Sequence, residues 1–372
     1  MFMKRIGIVS YNIHCNFTNY GSALQTWALN RAVTQLGHYP ILLDYCPDIL
    51  KDKDPLNPMK NMWDTDEESK EMCELSLEAI KKNYYKFEDF YSKFFNRSRE
   101  YLSENFEDVV DNEKIDGFIC GSDTIFCVDE FGFDDGYYAN YSCMKKHSVS
   151  YAASFGDSHF SDDSYSRLNE LLGNFNFIGL RENDMIEYVK SVTKVPVYRT
   201  IDPTLLLTQE DYDSIAVNRI VKDKYLLLYA RRYNPIMEQY AERIASENGW
   251  KIVEISLRAI NKNKPNRIMF YEAGVEEFLS LVKYSEHVVT NSFHGMIFAV
   301  QYKKNFDVFS REQCDTKIEE VLQLFGLQDR LIREGTDNIE KCNIDYEVVH
   351  NRIKLARDES LRILEKEIEE YI

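Results

Sequence analysis

Apolar residues in this chain come in short continuous runs, not in strict alternation with polar ones. Tyr225-Leu226-Leu227-Leu228-Tyr229 is one such run, and Phe118-Ile119-Cys120 and Val288-Val289 are others. A strand that is apolar on both faces must be covered on both faces, as parallel strands flanked by helices are. The pattern predicts strands over Arg5–Ser10, Ile41–Tyr45, Phe118–Gly121, Ser148–Ala153, Phe177–Leu180, Tyr225–Tyr229, Lys251–Ile255, His287–Thr290 and Phe306–Phe309. Stretches of helical length lie between them: Ser22–Leu36, Glu67–Phe95, Asp163–Leu172, Asp184–Val192, Pro235–Glu247, Val275–Lys283 and Lys317–Leu324. Repeated strand–helix alternation implies an α/β fold built from doubly wound parallel sheets.

The polar stretch Gln209–Asp223 interrupts the rhythm, and a new strand begins at Tyr225. Two domains are therefore expected, over residues 1–208 and 209–343, which suits a chain of 372 residues. Residues 51–115 read as an acidic helical insertion in the first domain. The tail, 344–372, reads as a helix. Val349, Ile353, Ala356, Leu361, Leu364, Ile368 and Tyr371 give it one apolar face, so it should pack back on the body. The helical aromatic stripe Phe87, Phe90, Tyr91 and Phe94 reads first as core and second as a sugar-stacking platform. Exposed aromatic residues between 84 and 106 could serve a homodimer.

Composition narrows the function. A formal charge of −17 disfavours nucleic acid and broad docking on an anionic membrane. A protein so negative must gather a few cations in one cleft if it binds an anion. No apolar run approaches about 18 residues, so no transmembrane segment is expected. The N-terminal residues look like a first strand, not a signal peptide. The eight cysteines never form Cys-x-x-Cys, which points to a reduced, cytoplasmic setting without structural zinc.

The richest candidate chemistry is Thr290-Asn291-Ser292-Phe293-His294-Gly295, a turn between a buried strand and an apolar helix. A helix N-terminus offers unpaired N–H groups and a positive dipole end to an anion. His294 adds a side chain suited to moving protons near neutral pH. Other candidates stand at strand ends, where open α/β sheets hold ligands. Asn19, Gly21 and Ser22 precede a helix, with Gly21 allowing close backbone approach and Ser22 able to cap. Asp123 follows Gly121-Ser122 and either orients a sugar hydroxyl or caps the next segment. Ser154 lies among small residues at a strand end, and His159 just beyond reads as an exposed loop residue. Arg181 either binds a carboxylate or phosphate or forms an ion pair with Glu182 or Asp184. Arg231 and Arg232 either bind an anion or bridge the domains. Asp134-Asp135-Gly136 reads as a solvated acidic turn.

Taken in order, several of these stretches resemble the polysaccharide pyruvyl transferase family. They are Asn19-Tyr20-Gly21-Ser22-Ala23-Leu24-Gln25, Phe118-Ile119-Cys120-Gly121-Ser122-Asp123, Ser150–Gly156, Leu180-Arg181-Glu182, Ile201-Asp202-Pro203-Thr204-Leu205-Leu206 and Asn291-Ser292-Phe293-His294-Gly295, within residues 5–310. The resemblance implies two Rossmann-like domains facing a cleft, as in glycosyltransferase-B folds. It implies transfer of the pyruvyl group of phosphoenolpyruvate, a co-substrate and not a cofactor, onto two hydroxyls of a sugar as a cyclic ketal. Products in such a family are bacterial capsules, exopolysaccharides and wall polymers, or yeast surface glycans. The resemblance makes His294 the acid/base or phosphate ligand and Arg181 a ligand of the donor's negative groups. The helix from Gly295, with Asn291 and Ser292 before it, would complete the donor side in the second domain. The acceptor would lie against the first domain near Asn19, Gly21 and Asp123. A lipid-linked acceptor would bring the protein to the inner membrane face.

Family members often carry an arginine two residues before the motif histidine, where this chain has Ser292. Arg231 or Arg232 would then supply the missing cation. The family's Gly-Ser-Asp often continues with Gln, an apolar residue and Trp, where this chain has Thr124, Ile125 and Phe126. The competing readings are a sugar-nucleotide glycosyltransferase of the same architecture and a non-catalytic glycan-binding protein. No His-Glu-x-x-His or similar ligand spacing occurs. Chelator should therefore leave turnover unchanged, and a strong loss of activity in chelator would overturn the metal-free reading.

Overall fold

The computed structural model describes residues 2–56, 67–156, 158–311, 315–333 and 343–372. Seven strands form the first sheet: β1 (Arg5–Val9), β2 (Tyr39–Tyr45), β3 (Arg97–Tyr101), β4 (Gly117–Cys120), β5 (Ser148–Ala153), β6 (Phe177–Leu180) and β7 (Val197–Arg199), in the order β3-β2-β1-β4-β5-β6-β7. Six form the second: β8 (Tyr225–Tyr229), β9 (Lys251–Ile255), β10 (Arg267–Met269), β11 (His287–Thr290), β12 (Asn305–Phe309) and β13 (Leu331–Ile332), in the order β10-β9-β8-β11-β12-β13. Every pairing is parallel. Helices cover the faces, so both sheets are doubly wound, as the apolar runs predict.

Four strands escape the hydrophobic pattern: β3, β7, β10 and β13. All four are the outer strands of their sheets. An outer strand pairs on one side only; Arg97-Ser98-Arg99-Glu100-Tyr101 is mostly polar, whereas β13 is apolar and buried but only two residues long. The stretch 51–115 therefore also supplies a strand to the first sheet. The single helix expected over Glu67–Phe95 is two, Glu67–Leu75 and Leu77–Phe94. They break at Ser76, whose hydroxyl donates to the Leu257 carbonyl.

The aromatic stripe is core. Phe87, Phe90 and Tyr91 are buried in a cluster that spans both domains. Tyr20 stacks on Phe278 of the second domain at 4.5 Å between centroids. Its hydroxyl donates to the Ala273 carbonyl at 2.7 Å. Of the aromatic residues between 84 and 106, Tyr85 is exposed and Tyr84, Phe94 and Phe95 are half-buried. Asp134 is not simply solvated, because it accepts from Gly136 N, Tyr137 N and the Tyr45 hydroxyl.

The C-terminal helix Tyr346–Tyr371 packs back on the body and crosses both halves. Val349 and Ile353 join the shared core, while Leu364 and Ile368 pack beneath the first sheet. Arg357 clamps it by donating to the carbonyls of Leu205 and Leu207, each at 2.7 Å. Among the described residues no helix is long and apolar enough to cross a membrane.

The sheet order reverses between β1 and β4 and again between β8 and β11. Chains leaving two neighbouring strands in opposite directions open a crevice, where such sheets bind ligands. The loop after β1 is anchored by charge. His14 Nε2 lies 2.7 Å from Asp44 Oδ1, Arg97 binds the other Asp44 oxygen at 2.7 Å, and Glu88 binds Arg97 at 2.9 Å. Burial alone would lower the His14 pKa, but Asp44 and Cys46 favour the cation and push it up to about 9. A raised pKa means the contribution is full below about pH 6.5 and fades as pH rises through about 9. His14→Gln should therefore lower the melting temperature by about 2–4 °C at pH 6. The gap should close by pH 10. Melting curves of both proteins across that range would check it, and a gap that is constant with pH would refute it.

Candidate active site

The two switch points face each other, and the residues at the strand ends meet between them. From the first sheet, the loop after β1 ends at Asn19, whose side chain caps the helix Tyr20–Gln35 by accepting from Gly21 N at 3.0 Å. The helix starts two residues earlier than the sequence suggests, so Asn19 and not Ser22 is its cap. Ser22 instead donates its hydroxyl to Asp123 at 2.8 Å. Asp123, past the end of β4, also accepts from Thr124 N at 3.0 Å.

Arg181 leaves the end of β6 with its side chain only 4% exposed. Its guanidinium meets Glu182 at 2.7 Å, Asp202 at 3.0 Å and Asp123 at 3.8 Å. One cation against three carboxylates has little charge left for an anionic ligand. The guanidinium also lies 5.1 Å from the centre of the Phe293 ring, across the domain boundary. Asp202 is the hub. One of its oxygens accepts from the Thr204 N–H at 2.9 Å and the Thr204 hydroxyl at 2.5 Å. The other faces Arg181 and His294. Burial alone would raise the Asp202 pKa, but the charges of His294 and Arg181 and the Thr204 hydrogen bond hold it well below the usual carboxylate range.

His294 arrives from the second domain. Ser292 caps the helix Phe293–Gln301, its hydroxyl accepting from Gly295 N at 3.2 Å. That cap sets His294 in the first turn, pointing back at the first domain. Its Nε2 lies 3.4 Å from Asp202 Oδ2, an ion-pair distance without a well-aligned hydrogen bond. Its other ring nitrogen presses against Gly21, where any side chain would collide with the imidazole. Gly21 thus makes room for a histidine. Gly295 is also a packing position, since a methyl group there would sit 2.6 Å from the Thr290 hydroxyl.

Arg231 and Arg232 follow β8. Asn291 splints them, accepting from Arg231 N at 2.8 Å and donating to the Arg232 carbonyl at 2.7 Å. Asn291 is 1% exposed and stands behind the arginines, outside the cleft. Ser154 is likewise buried, its hydroxyl accepting from Gly156 N within its own turn. His159 is on the rim, 90% exposed and paired with Asp129.

These elements enclose a cleft of about 410 Å³. Asn19, Asp123, Arg181, Arg231, Arg232, Ser292 and His294 line it, as do Tyr11, Arg311 and Lys317. Sequence reading did not single out Asp202, Glu182 or Lys317 as site residues. Asp202 carried a signal, standing before Pro203 at the head of a turn inside a motif stretch. Lys317 carried none, because a lysine on an amphipathic helix usually faces solvent.

This is a two-domain α/β protein whose interdomain cleft holds a buried aspartate–histidine pair. The sequence model of the family "Polysaccharide pyruvyl transferase" matches residues 19–312, and the chain belongs to that family. No curated protein matches it in sequence. Among solved structures, MnaA of S. aureus, determined with UDP, superposes with a TM-score of 0.50 at 16% identity, covering 96% of this chain and 90% of that one. A putative UDP-N-acetylglucosamine 2-epimerase from Listeria monocytogenes gives 0.49 at 11%, covering 97% and 91%. The glycosyltransferase SnogD from Streptomyces nogalater gives 0.45 at 10%, covering 99% of both chains. The architecture is glycosyltransferase-B-like.

Gly21→Ala tests the wedge. A methyl group must displace the His294 ring, a close-packed clash costing about 1–3 kcal/mol. The variant should melt lower, and the His294 ring signals should shift by NMR. Unchanged His294 signals would show that the contact does not position the ring.

Proposed function

We propose that this protein transfers the pyruvyl group of phosphoenolpyruvate onto two hydroxyls of a sugar in a polysaccharide or its precursor. Family membership supports the reaction class, and the charge pattern of the cleft carries the donor. Among the described residues neither Arg231 nor Lys317 forms an ion pair with a carboxylate. Arg231 donates to the Thr18 carbonyl and has tyrosines about it. Lys317 is 7% exposed. Two cations outside any ion pair, with the Glu130 carboxylate near both, stand beside a helix N-terminus and suit the carboxylate and phosphate of phosphoenolpyruvate. Arg181 then acts through Asp202, not on the donor.

The chemistry requires one proton delivered to the methylene carbon of phosphoenolpyruvate. That creates a cationic centre at the adjacent carbon. Two sugar hydroxyls add there in turn, each losing a proton, while the carbon–oxygen bond to phosphate breaks. One of the two protons restores the acid and the other leaves with phosphate. His294 is the proton carrier, and the Asp202 carboxylate stands 3.4 Å from its Nε2. Apo geometry at 3.4 Å tightens when substrate fills the cleft.

Phosphoenolpyruvate at a hundredfold excess over its Kd should stabilise the protein by about 2.7 kcal/mol, read as a thermal shift of several degrees. Arg231→Gln and Lys317→Gln should each lose most of that shift. His294→Ala should keep the shift and lose at least about 100-fold in phosphate release with acceptor present. If phosphoenolpyruvate neither shifts melting nor releases phosphate, pyruvyl transfer is wrong. Release of nucleoside diphosphate from a sugar nucleotide without phosphoenolpyruvate would put a glycosyltransferase in its place.

A further inference from the structure

A second chamber of about 370 Å³ adjoins the cleft and shares Phe17, Arg231 and Arg232 with it. Its floor is the carboxyl ends of β8 and β9 and the residue Tyr271 just past β10. Its walls are aromatic and apolar, including Tyr20, Tyr229, Met72 and Leu257. In a doubly wound sheet of order 3-2-1-4-5-6, the three strands on one side of the switch point form a mononucleotide-binding half. Here that half is β10-β9-β8.

We propose that this chamber holds the nucleoside of a nucleotide-linked acceptor sugar, an inference that rests on the pyruvyl transfer reading. Three observations converge. Flat rings line the space, as a planar base requires, and Arg258 already stacks on Tyr233 at 3.9 Å. The Tyr229 hydroxyl is buried, faces this space and has no hydrogen-bond partner among the described residues. A buried hydroxyl left unpaired is costly, and a base or ribose oxygen would satisfy it. Finally, Arg232 stands at the threshold between the chambers, next to the Arg231 that faces the donor. A diphosphate there would lead from the nucleoside on one side to the sugar on the other, and the sugar would enter the cleft toward His294. A volume of this size is that of a small-molecule site. A long isoprenoid would overrun it.

The test is calorimetric titration of the full chain with UDP, dTDP, CDP and GDP in turn, and separately with phosphoenolpyruvate. At least one nucleotide should bind the wild type. Leu257→Trp, which fills the chamber, should weaken that nucleotide at least 10-fold and leave phosphoenolpyruvate binding unchanged. Tyr229→Phe, with the fold checked by circular dichroism, should weaken it about 2- to 10-fold, the range of one hydrogen bond. Failure of all four nucleotides while phosphoenolpyruvate binds would overturn the chamber's assignment alone. Nucleotide binding unmoved by Leu257→Trp would overturn it as well. Farnesyl phosphate binding that Leu257→Trp abolishes, with no nucleotide bound, would reassign the chamber to a lipid. Nucleotide binding without phosphoenolpyruvate binding would instead sink the pyruvyl reading and keep the chamber.

Discussion

The contact between Asp202 and His294 joins the two sheets at the point where both reverse their strand order. Asp202 is fully buried on one domain, and His294 reaches it from the first turn of a helix on the other. A buried carboxylate needs partners, because desolvation otherwise drives it neutral. Arg181 and Thr204 hold it from its own side. The imidazole can approach only because Gly21 has no side chain. Helix start, cap and glycine on one domain thus fix the ring of a histidine on the other.

That arrangement divides the electrostatic labour in the cleft. Arg181 is committed to carboxylates and serves to keep Asp202 charged and placed. Arg231 after β8 and Lys317 on the helix Asp315–Phe325 come from the second domain and form no ion pair among the described residues. In a protein of net charge −17 such separation matters. Most of the surface repels anions, and positive charge collects beside a helix N-terminus in the cleft.

The shared core sets the frame for this. Tyr20, Phe87, Tyr229 and Phe278 pack together across the boundary, and the C-terminal helix straps both halves. Tyr229 also shows how closely packing and site are joined. Its ring belongs to the core, while its hydroxyl faces the second chamber.

Much of this was legible in the chain. Apolar runs located every inner strand of both sheets, because burial on two faces demands them. The turn carrying His294 was legible because a polar, small-residue segment between two apolar runs has few other places to be. The outer strands were not, because β3 is mostly polar and β7, β10 and β13 are only two or three residues long. Nor were the roles of particular polar residues. Nothing local separates Lys317 from a solvated lysine, Asn291 from a ligand, or Arg181 from a free cation. Those distinctions depend on which charges lie within a few ångströms after distant strands have paired. The sequence alone determined the parallel two-sheet fold and which strand ends carry polar chemistry, because hydrophobic patterning is a local record of burial. Only the tertiary structure decided which charges are spent on each other and which remain for a ligand, because an ion pair is set by distance in space and not along the chain.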